Sequence, residues 1–148
     1  MSWDETIPTI RPGSMDAETA LTDRYQITSH LARGGMADVY EGTDNLLNRR
    51  VAIKVLHAEK SADHEARERF RREARSAAKL THPNIVGIYD FGEDAGTYFI
   101  AMEFVKGREL QSYLEASERF AMHDIVRIMG QLLEALDYSH KHGVVHRD

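Results

Sequence analysis

The sequence predicts an α+β fold in which an antiparallel β-sheet is followed by helices. Over residues 31–54, a glycine pair precedes two strand-like runs that are separated by a polar turn, which is the pattern of a β-hairpin. Apolar residues then recur at helical spacing over residues 62–80 and again over 123–142. These observations predict a sheet, one packed helix and a later helical region.

Composition limits the possible functions. The chain has 148 residues, enough for a single domain, and its formal net charge of −5 argues against nucleic acid as the main partner. It contains no cysteine, which fits a reducing compartment and excludes disulfides and cysteine-ligated zinc. The sequence shows no signal peptide and no run of roughly 18 apolar residues, so we expect a cytoplasmic chain without a membrane segment. Any membrane anchor would lie in a longer parent protein.

The first 23 residues predict a flexible tail. Residues 1–23 contain all but one of the prolines, several acids and no sustained hydrophobic period. Residues 25–31 then alternate loosely between apolar and polar types, as expected for a first strand. The ordered part of the chain is therefore predicted to begin near residue 24.

Gly34 and Gly35 lie between the predicted strands. Glycine lets a backbone approach a phosphate closely, because no Cβ stands between the N–H groups and the oxygens. In dinucleotide-binding folds a helix follows such glycines, whereas here residues 38–41 and 49–56 predict two strands. The glycines are thus expected in a flap between antiparallel strands. A glycine pair by itself is more often an ordinary turn.

Lys54 is an unusual residue for its position in the second strand. Strand alternation places it on the same face as Ala52 and Leu56. An ammonium group on an apolar face is unfavourable unless an anion lies beside it, and a nucleotide phosphate is the obvious candidate. The alternative is an edge-strand lysine whose ammonium group reaches water.

The helix predicted over residues 62–80 carries an acid within its apolar stripe. Glu73 lies three residues after Phe70 and four before Ala77, so its carboxylate is expected to face the body of the protein. Lys54 is the inward cation available to pair with it. The alternative is an acid at the edge of the stripe that pairs with Arg69 on the same helix.

The later elements follow from turn and periodicity signals. Residues 85–91 and 97–104 predict two strands joined by a glycine-bounded hairpin loop, and residues 107–114 predict a short helix start. A long helix follows over 123–142, and residues 144–145 predict a short buried strand. His140, His142 and His146 are close in sequence, but Gly143 interrupts the helix and no acid or cysteine completes a ligand set, so no metal site is assigned.

Together these motifs resemble the protein kinase family, and in particular its bacterial Ser/Thr members. The flap and the residues V-A-I-K at 51–54 resemble the glycine-rich loop and the lysine strand, with the loop's glycine positions at Ala32, Gly34 and Ala37. The residues H-P-N-I-V at 82–86 and Y-F-I-A-M-E-F-V at 98–105 resemble the passage into the hinge. The final residues, H-R-D at 146–148, resemble the start of the catalytic loop.

The resemblance implies a role for each motif residue. Lys54 would hold the α- and β-phosphates of ATP, Glu73 would align Lys54, and Asp148 would accept the proton of the substrate hydroxyl. Arg147 would pair with an activation-loop phosphate, and His146 would be a packed structural residue. The implied ATP site comprises Leu31, Ala32, Arg33, Gly34, Gly35, Met36, Ala37, Asp38, Val39, Ala52, Lys54, the gatekeeper Met102, and Glu103 and Val105 of the hinge. Ligands for Mg²⁺ are expected beyond residue 148.

The resemblance also implies a domain organisation and an activity. Residues 24–105 would form the N-lobe of a kinase domain and residues 106–148 the start of an incomplete C-lobe, truncated at the H-R-D motif. The parent protein would transfer the γ-phosphoryl group of Mg-ATP to Ser or Thr hydroxyls of proteins. The 148-residue chain alone is expected to be inactive, because it has no D-F-G aspartate, catalytic-loop Asn or A-P-E motif.

Two alternatives remain open. The chain could be a pseudokinase-like module that binds a nucleotide or a partner without catalysis. It could also belong to a small-molecule phosphotransferase of related fold. Such enzymes usually lack the arginine of the H-R-D motif, so Arg147 favours a protein kinase.

Overall fold

The computed structural model describes residues 20–146. Most of the expected tail, together with Arg147 and Asp148, lies outside this range. The elements in chain order are β1 Ala20–Leu21, β2 Tyr25–Arg33, β3 Ala37–Asp44, β4 Arg49–Leu56, α1 Ala58–Ser61, α2 His64–Ala77, β5 Ile88–Asp94, β6 Thr97–Glu103, α3 Leu110–Glu115 and α4 Met122–Lys141.

The strands form one antiparallel sheet in the order β1-β2-β3-β4-β6-β5. The predicted α+β class is confirmed, and so is the hairpin, since β3 and β4 pair along their whole length with Val39 opposite Lys54. β4 lies between β3 and β6 and is therefore an interior strand. This position gives Lys54 a strand neighbour on each side.

The two edges of the sheet contact each other, because the sheet curls. The backbone N–H of Thr22 donates to Asp94 Oδ2 at 2.7 Å, and the hydroxyl of Tyr25 donates to Asp90 Oδ2 at 3.0 Å. Arg24 NH1 also lies 3.4 Å from that Asp90 oxygen. These contacts join the start of the sheet to β5, the strand at its far edge, so side chains complete a closure that backbone pairing does not.

Asp44 is the buried charge that anchors this closure. Its side chain is fully buried and accepts hydrogen bonds from Arg24 Nε at 3.0 Å and Arg24 NH2 at 2.8 Å. The backbone N–H groups of Leu46 and Leu47 donate to the same carboxylate at 3.1 and 3.2 Å. These bonds, those of Arg24 above all, lower the pKa of Asp44 to about 2.

Each face of the sheet has its own core. One cluster fills the concave interior with alternate residues of the strands, and it comprises Leu21, Tyr25, Ile27, Tyr40, Val51, Ile53, Val55, Phe99 and Ala101. The opposite face is covered by α2 through Phe70 and Ala74, which pack on Ala37, Leu56 and Ile100. Both faces of β4 are thus covered, as its near-continuous apolar sequence requires.

α4 is packed on one side only. Among its described residues, only Ala135 and Ser139 are buried. Large apolar side chains along the rest of the helix are exposed, and they are Met122, Ile125, Val126, Met129, Leu132 and Leu133. A contiguous apolar face of this kind is typical of a surface that packs against another element.

The structure corrects several sequence predictions. Residues 20–23 were assigned to the flexible tail, but β1 pairs with β2, and Leu21 is buried beside Tyr25. β5 begins at Ile88 rather than at residue 85, and residues 144–145 are not in a strand. α1 was not predicted, because a four-residue helix has too few residues to show a hydrophobic period.

We expect Asp44 to make the fold sensitive to acid. A lowered folded-state pKa contributes stability above the unfolded-state pKa near 4, and this stability is lost as the pH falls towards 2. The contribution is about 2 kcal/mol. Urea unfolding of Asp44→Asn should show a lower free energy of unfolding than the unaltered chain at pH 5, and a smaller further loss at pH 2.5.

Asp137→Asn is the matched control, since Asp137 is exposed and its ion-pair partner within residues 20–146 is the exposed Lys141. It should show the same pH dependence as the unaltered chain. An Asp44→Asn chain that loses as much free energy of unfolding between pH 5 and 2.5 as the control does would contradict this account.

Candidate functional site

Lys54 and Glu73 form an ion pair between the sheet and α2. Lys54 lies opposite Val39 of β3 and Ile100 of β6, and its Nζ is 2.5 Å from Glu73 Oε1. The pair is partly exposed, with 26% of the lysine side chain and 47% of the glutamate side chain accessible to solvent. The charge that strand alternation places on an apolar face is therefore balanced by a carboxylate from the neighbouring helix.

The alternative partner for Glu73 is already occupied. Arg69 NH2 lies 3.5 Å from Glu65, one turn earlier on α2. Glu68 contacts Arg71, three residues later on the same helix, at 2.8 Å. Glu65 and Glu68 thus pair within α2, whereas Glu73 pairs across to the sheet.

α2 is positioned by its own sequence signals. Asp63 caps the N-terminus, where its side chain accepts the N–H of Glu65 at 3.0 Å. Ala66, Phe70 and Ala74 are buried at a spacing of four residues, which fixes the rotation of the helix. This rotation directs Glu73, next to Ala74 in sequence, towards β4.

A cavity of about 250 Å³ lies behind the ion pair. Its walls come from α2 and from strands β3 to β6, and the lining residues are Val39, Lys54, Glu73, Ala74, Ala77, Ile88, Ile100 and Met102. Pockets that hold whole ligands are usually larger, roughly 300–1,000 Å³. The cavity is therefore too small to enclose a whole ligand of that kind, and we call it, with the Lys54–Glu73 pair at its edge, the cleft.

The two glycines of the flap differ in the space around them: Gly34 has no room for a side chain, whereas Gly35 has open space. The N–H of Gly34 donates to the carbonyl of Ala37 at 2.9 Å, and a Cβ on Gly34 would lie 2.9 Å from that same oxygen. A Cβ on Gly35 would meet nothing within 4 Å. Ala32 and Ala37 lie in β2 and β3 without positive φ, so neither position needs glycine.

Asp38 does not face the cleft with its side chain. Strand alternation places it on the face opposite to Val39, and its carboxylate lies 3.1 Å from His57 Nε2 and 3.8 Å from His30 Nε2. The side chain is only 7% exposed. Asp38 was predicted as a member of the nucleotide site, but its carboxylate instead links the flap strand to the residue after β4.

The hinge segment is held at its start by Glu103. The N–H of Glu103 donates to the carbonyl of Gly87 at 2.8 Å, and its carboxylate accepts the N–H of Gly87 at 3.1 Å. Met102, just before it, is half-buried and reaches the cavity. Val105 is exposed and does not line the cavity.

The structure brings part of the predicted site together. Four predicted residues line one cavity, and these are Val39, Lys54, Glu73 and Met102. Ala52 lies opposite Met102 in the sheet, whereas Leu31 and Arg33 are exposed on β2. Asp148 and Arg147 lie outside the described residues. Within residues 20–146 no three His, Cys, Asp or Glu side chains are arranged to hold a metal ion.

Sequence reasoning missed four cavity residues. Ala74, Ala77, Ile88 and Ile100 line the wall behind Lys54. Ala74 and Ala77 belong to the apolar stripe of α2 that the sequence shows. Such a stripe predicts that the helix packs on the sheet, but it does not predict a cavity between them. The small side chains of Ala74 and Ala77 leave the space between α2 and the sheet incompletely filled.

This arrangement suits a nucleoside triphosphate. Lys54 supplies a cation held in place by Glu73, and the open backbone at Gly35 leaves room for a phosphate beneath the flap. The exposed backbone after Glu103 offers hydrogen-bonding groups for a planar base. A cation beside an open, glycine-containing backbone segment is an arrangement that phosphate-binding sites use.

Comparison with known proteins identifies the family. The profile of the protein kinase domain matches residues 25–148. The chain therefore belongs to the protein kinase domain family, as the resemblance of its motifs implied.

Bacterial serine/threonine-protein kinases are among the relatives of this chain. The chain is 44% identical over 128 residues to serine/threonine-protein kinase PrkC of Bacillus subtilis, and it is 46% identical over 127 residues to the probable serine/threonine-protein kinase PknB of Lactococcus lactis. These alignments cover 86% and 85% of this chain. The chain spans only 20% of the length of each relative.

Solved structures agree with this assignment. The kinase domain of Mycobacterium tuberculosis PknI superposes with a TM-score of 0.75 at 31% sequence identity. The match covers 91% of this chain and 54% of that domain.

Over residues 20–146, no helix combines the length and the apolar character that a bilayer crossing needs.

We expect Gly34→Ala and Gly35→Ala to differ in stability. A methyl group at Gly34 collides with the Ala37 carbonyl, which is backbone and moves only with the flap, whereas the same methyl at Gly35 meets open space. Urea unfolding should show that Gly34→Ala lowers the free energy of unfolding by about 1 kcal/mol or more, and that Gly35→Ala changes it by less than about 0.5 kcal/mol. Equal losses in the two variants would contradict the flap geometry.

Proposed function

We propose that the whole protein is an ATP-dependent Ser/Thr protein kinase, and that residues 20–146 form its nucleotide-binding lobe and the start of its second lobe. The observation that carries this proposal is the contact between Lys54 and Glu73 at the mouth of the cleft. The names of the relatives support the choice of Ser/Thr protein hydroxyls as acceptors.

Each cleft residue has a role in this proposal. Lys54 holds the α- and β-phosphates, and Glu73 keeps the ammonium group directed into the cleft. The flap from Leu31 to Val39 covers the phosphates with backbone N–H groups, and the small residue Ala52 leaves space for the base beside Met102. The backbone of Glu103 and Val105 binds the adenine edge.

The chemical step depends on residues at and beyond the end of the sequence. Asp148 would accept the proton of the substrate hydroxyl as oxygen attacks the γ-phosphorus and the bond to the β-phosphate oxygen breaks. Mg²⁺ would neutralise the charge that develops on the phosphates, and no residue of this chain is assigned to hold it. Within this chain, Lys54 positions the phosphates for that attack.

The partners of the protein follow from this activity. They are ATP with Mg²⁺ and a protein segment that presents a Ser or Thr hydroxyl. The net charge of −5 on this chain argues against nucleic acid as the main partner. A cytoplasmic location fits the requirement for ATP and the absence of cysteine from the sequence.

We expect Lys54→Met to abolish phosphoryl transfer in the whole protein. Methionine keeps the apolar stem of the side chain but removes the cation, so the phosphates lose their clamp and Glu73 loses its partner. Radiolabel transfer from γ-labelled ATP to a generic protein substrate should fall at least about 100-fold, while far-UV circular dichroism stays unchanged.

Lys60→Met is the matched control, since Lys60 is an exposed lysine on α1. It should retain the activity of the unaltered protein. Transfer by Lys54→Met at a rate close to that of Lys60→Met would overturn the role assigned to Lys54.

A polypeptide of residues 1–148 should show no phosphoryl transfer with Mg-ATP. The positioning of metal and γ-phosphate provides most of the catalysis in this reaction, and the residues that hold the metal are absent from this sequence. The same radiolabel assay, run beside the whole protein, measures this directly. Robust transfer by the 148-residue polypeptide would contradict the assignment of roles.

A further inference from the structure

Arg50 makes a set of contacts that the site described above does not use. Its Nε and NH2 lie 2.9 and 2.5 Å from Glu41 Oε1, and its guanidinium carbon is 4.2 Å from the centre of the Phe104 ring. Ser29 also donates its hydroxyl to Glu41, at 3.4 Å. One planar cation thus connects β3 to the segment that follows β6.

These residues lie on the cleft face of the sheet. Alternation along β4 places Arg50 on the same face as Ala52 and Lys54, and alternation along β3 places Glu41 with Val39. Lys54 is four residues from Arg50, a separation of roughly 13 Å along the strand. Arg50 is therefore at the opposite end of the cleft from the phosphate clamp.

The register of the sheet brings the hinge to this end. Val51 pairs with Glu103, so Phe104, the next residue, leaves the sheet directly beside Arg50. Among the described residues, the backbone of 104–108 makes none of the turn or loop hydrogen bonds that hold other connections in place. The half-buried Phe104 ring on the Arg50 guanidinium connects the start of this segment to β4, whereas Arg108 at its other end pairs with Glu118.

We propose that Arg50 is a positioning residue for the base-binding end of the cleft. It holds Phe104 against the flap strand, and so fixes the backbone of Glu103 and Val105 on either side. This inference rests on the proposed function, since those two backbones are the groups assigned to the adenine edge. Glu41 holds the guanidinium over the ring by accepting hydrogen bonds from its Nε and NH2.

Adenosine separates this role from a simple effect of charge. Arg50 is a cation on the face that would bind a triphosphate, so its removal could weaken ATP binding through lost attraction alone. Adenosine has the base but no phosphate. A residue that positions the hinge affects adenosine and ATP by the same factor, whereas a residue that acts through its charge affects ATP only.

The test uses the whole protein and equilibrium dissociation constants for ATP and adenosine, measured by calorimetry at fixed ionic strength. Arg50→Ala should raise the dissociation constants of both ligands by a similar factor of about 3 to 5, as expected for a partly exposed guanidinium–ring contact. Phe104→Leu removes the ring but leaves the Arg50–Glu41 pair intact, and it should raise both dissociation constants by a similar factor. If Arg50→Ala does not fold, the comparison of ATP and adenosine is made with Phe104→Leu instead.

Two further variants serve as references. Arg69→Ala removes a comparably exposed arginine whose carboxylate partner is Glu65, and it should change neither constant. Lys54→Met should weaken the binding of ATP and leave the binding of adenosine unchanged, whereas Arg50→Ala should weaken the binding of both. Arg50→Lys should give an intermediate result, because lysine keeps the charge but not the flat surface.

The outcomes are distinguishable. Weaker binding of ATP with unchanged binding of adenosine in Arg50→Ala would overturn the positioning role and indicate a charge effect. Constants equal to those of Arg69→Ala would overturn any role for Arg50 in binding. If the unaltered protein bound neither ligand, the proposed function itself would be overturned.

Discussion

The ion pair between Lys54 and Glu73 is the interaction on which the cleft depends. An ammonium group on the face of β4 that α2 covers is unfavourable without a counter-charge, and the nearest carboxylate comes from that helix. The packing of Phe70 and Ala74 on the sheet sets the separation of α2 and β4, and the ion pair spans it. The alanines of α2 cannot fill the space at this separation, so the pair and the cavity behind it result from the same geometry.

The sheet must be rigid for this pair to have a fixed position. Backbone pairing alone leaves β1 and β5 as opposite edges, but Arg24 links the buried carboxylate of Asp44 to Asp90 on β5. The hydroxyl of Tyr25 contacts the same Asp90, and burial raises the pKa of Tyr25 to about 12. Charges far from the cleft thus maintain the curvature that brings β3, β4 and β6 around it.

The sequence predicted features that depend on short-range patterns and missed those that depend on the closed sheet. The bounds of β4 and the inward direction of Glu73 follow from alternation and helical spacing, which are local. β1 is two residues long, and Leu21 is buried only because the curled sheet provides a core for it. The partner of Asp38 is His57, nineteen residues later, and only the β3–β4 register brings them together. The roles of Asp148 and of the hinge came from resemblance, since no local pattern indicates them.

β4 determines the length of the proposed nucleotide site, because it carries both of its ends. Lys54 belongs to the phosphate end and Arg50 to the base end, and both project from one face of an interior strand whose backbone is paired on both sides. Their separation cannot change without breaking the sheet. Each end is then completed by a residue from outside the sheet, Glu73 from α2 and Phe104 from the loop after β6. A change in either partner would therefore alter one end of the cleft while the strand preserves the other.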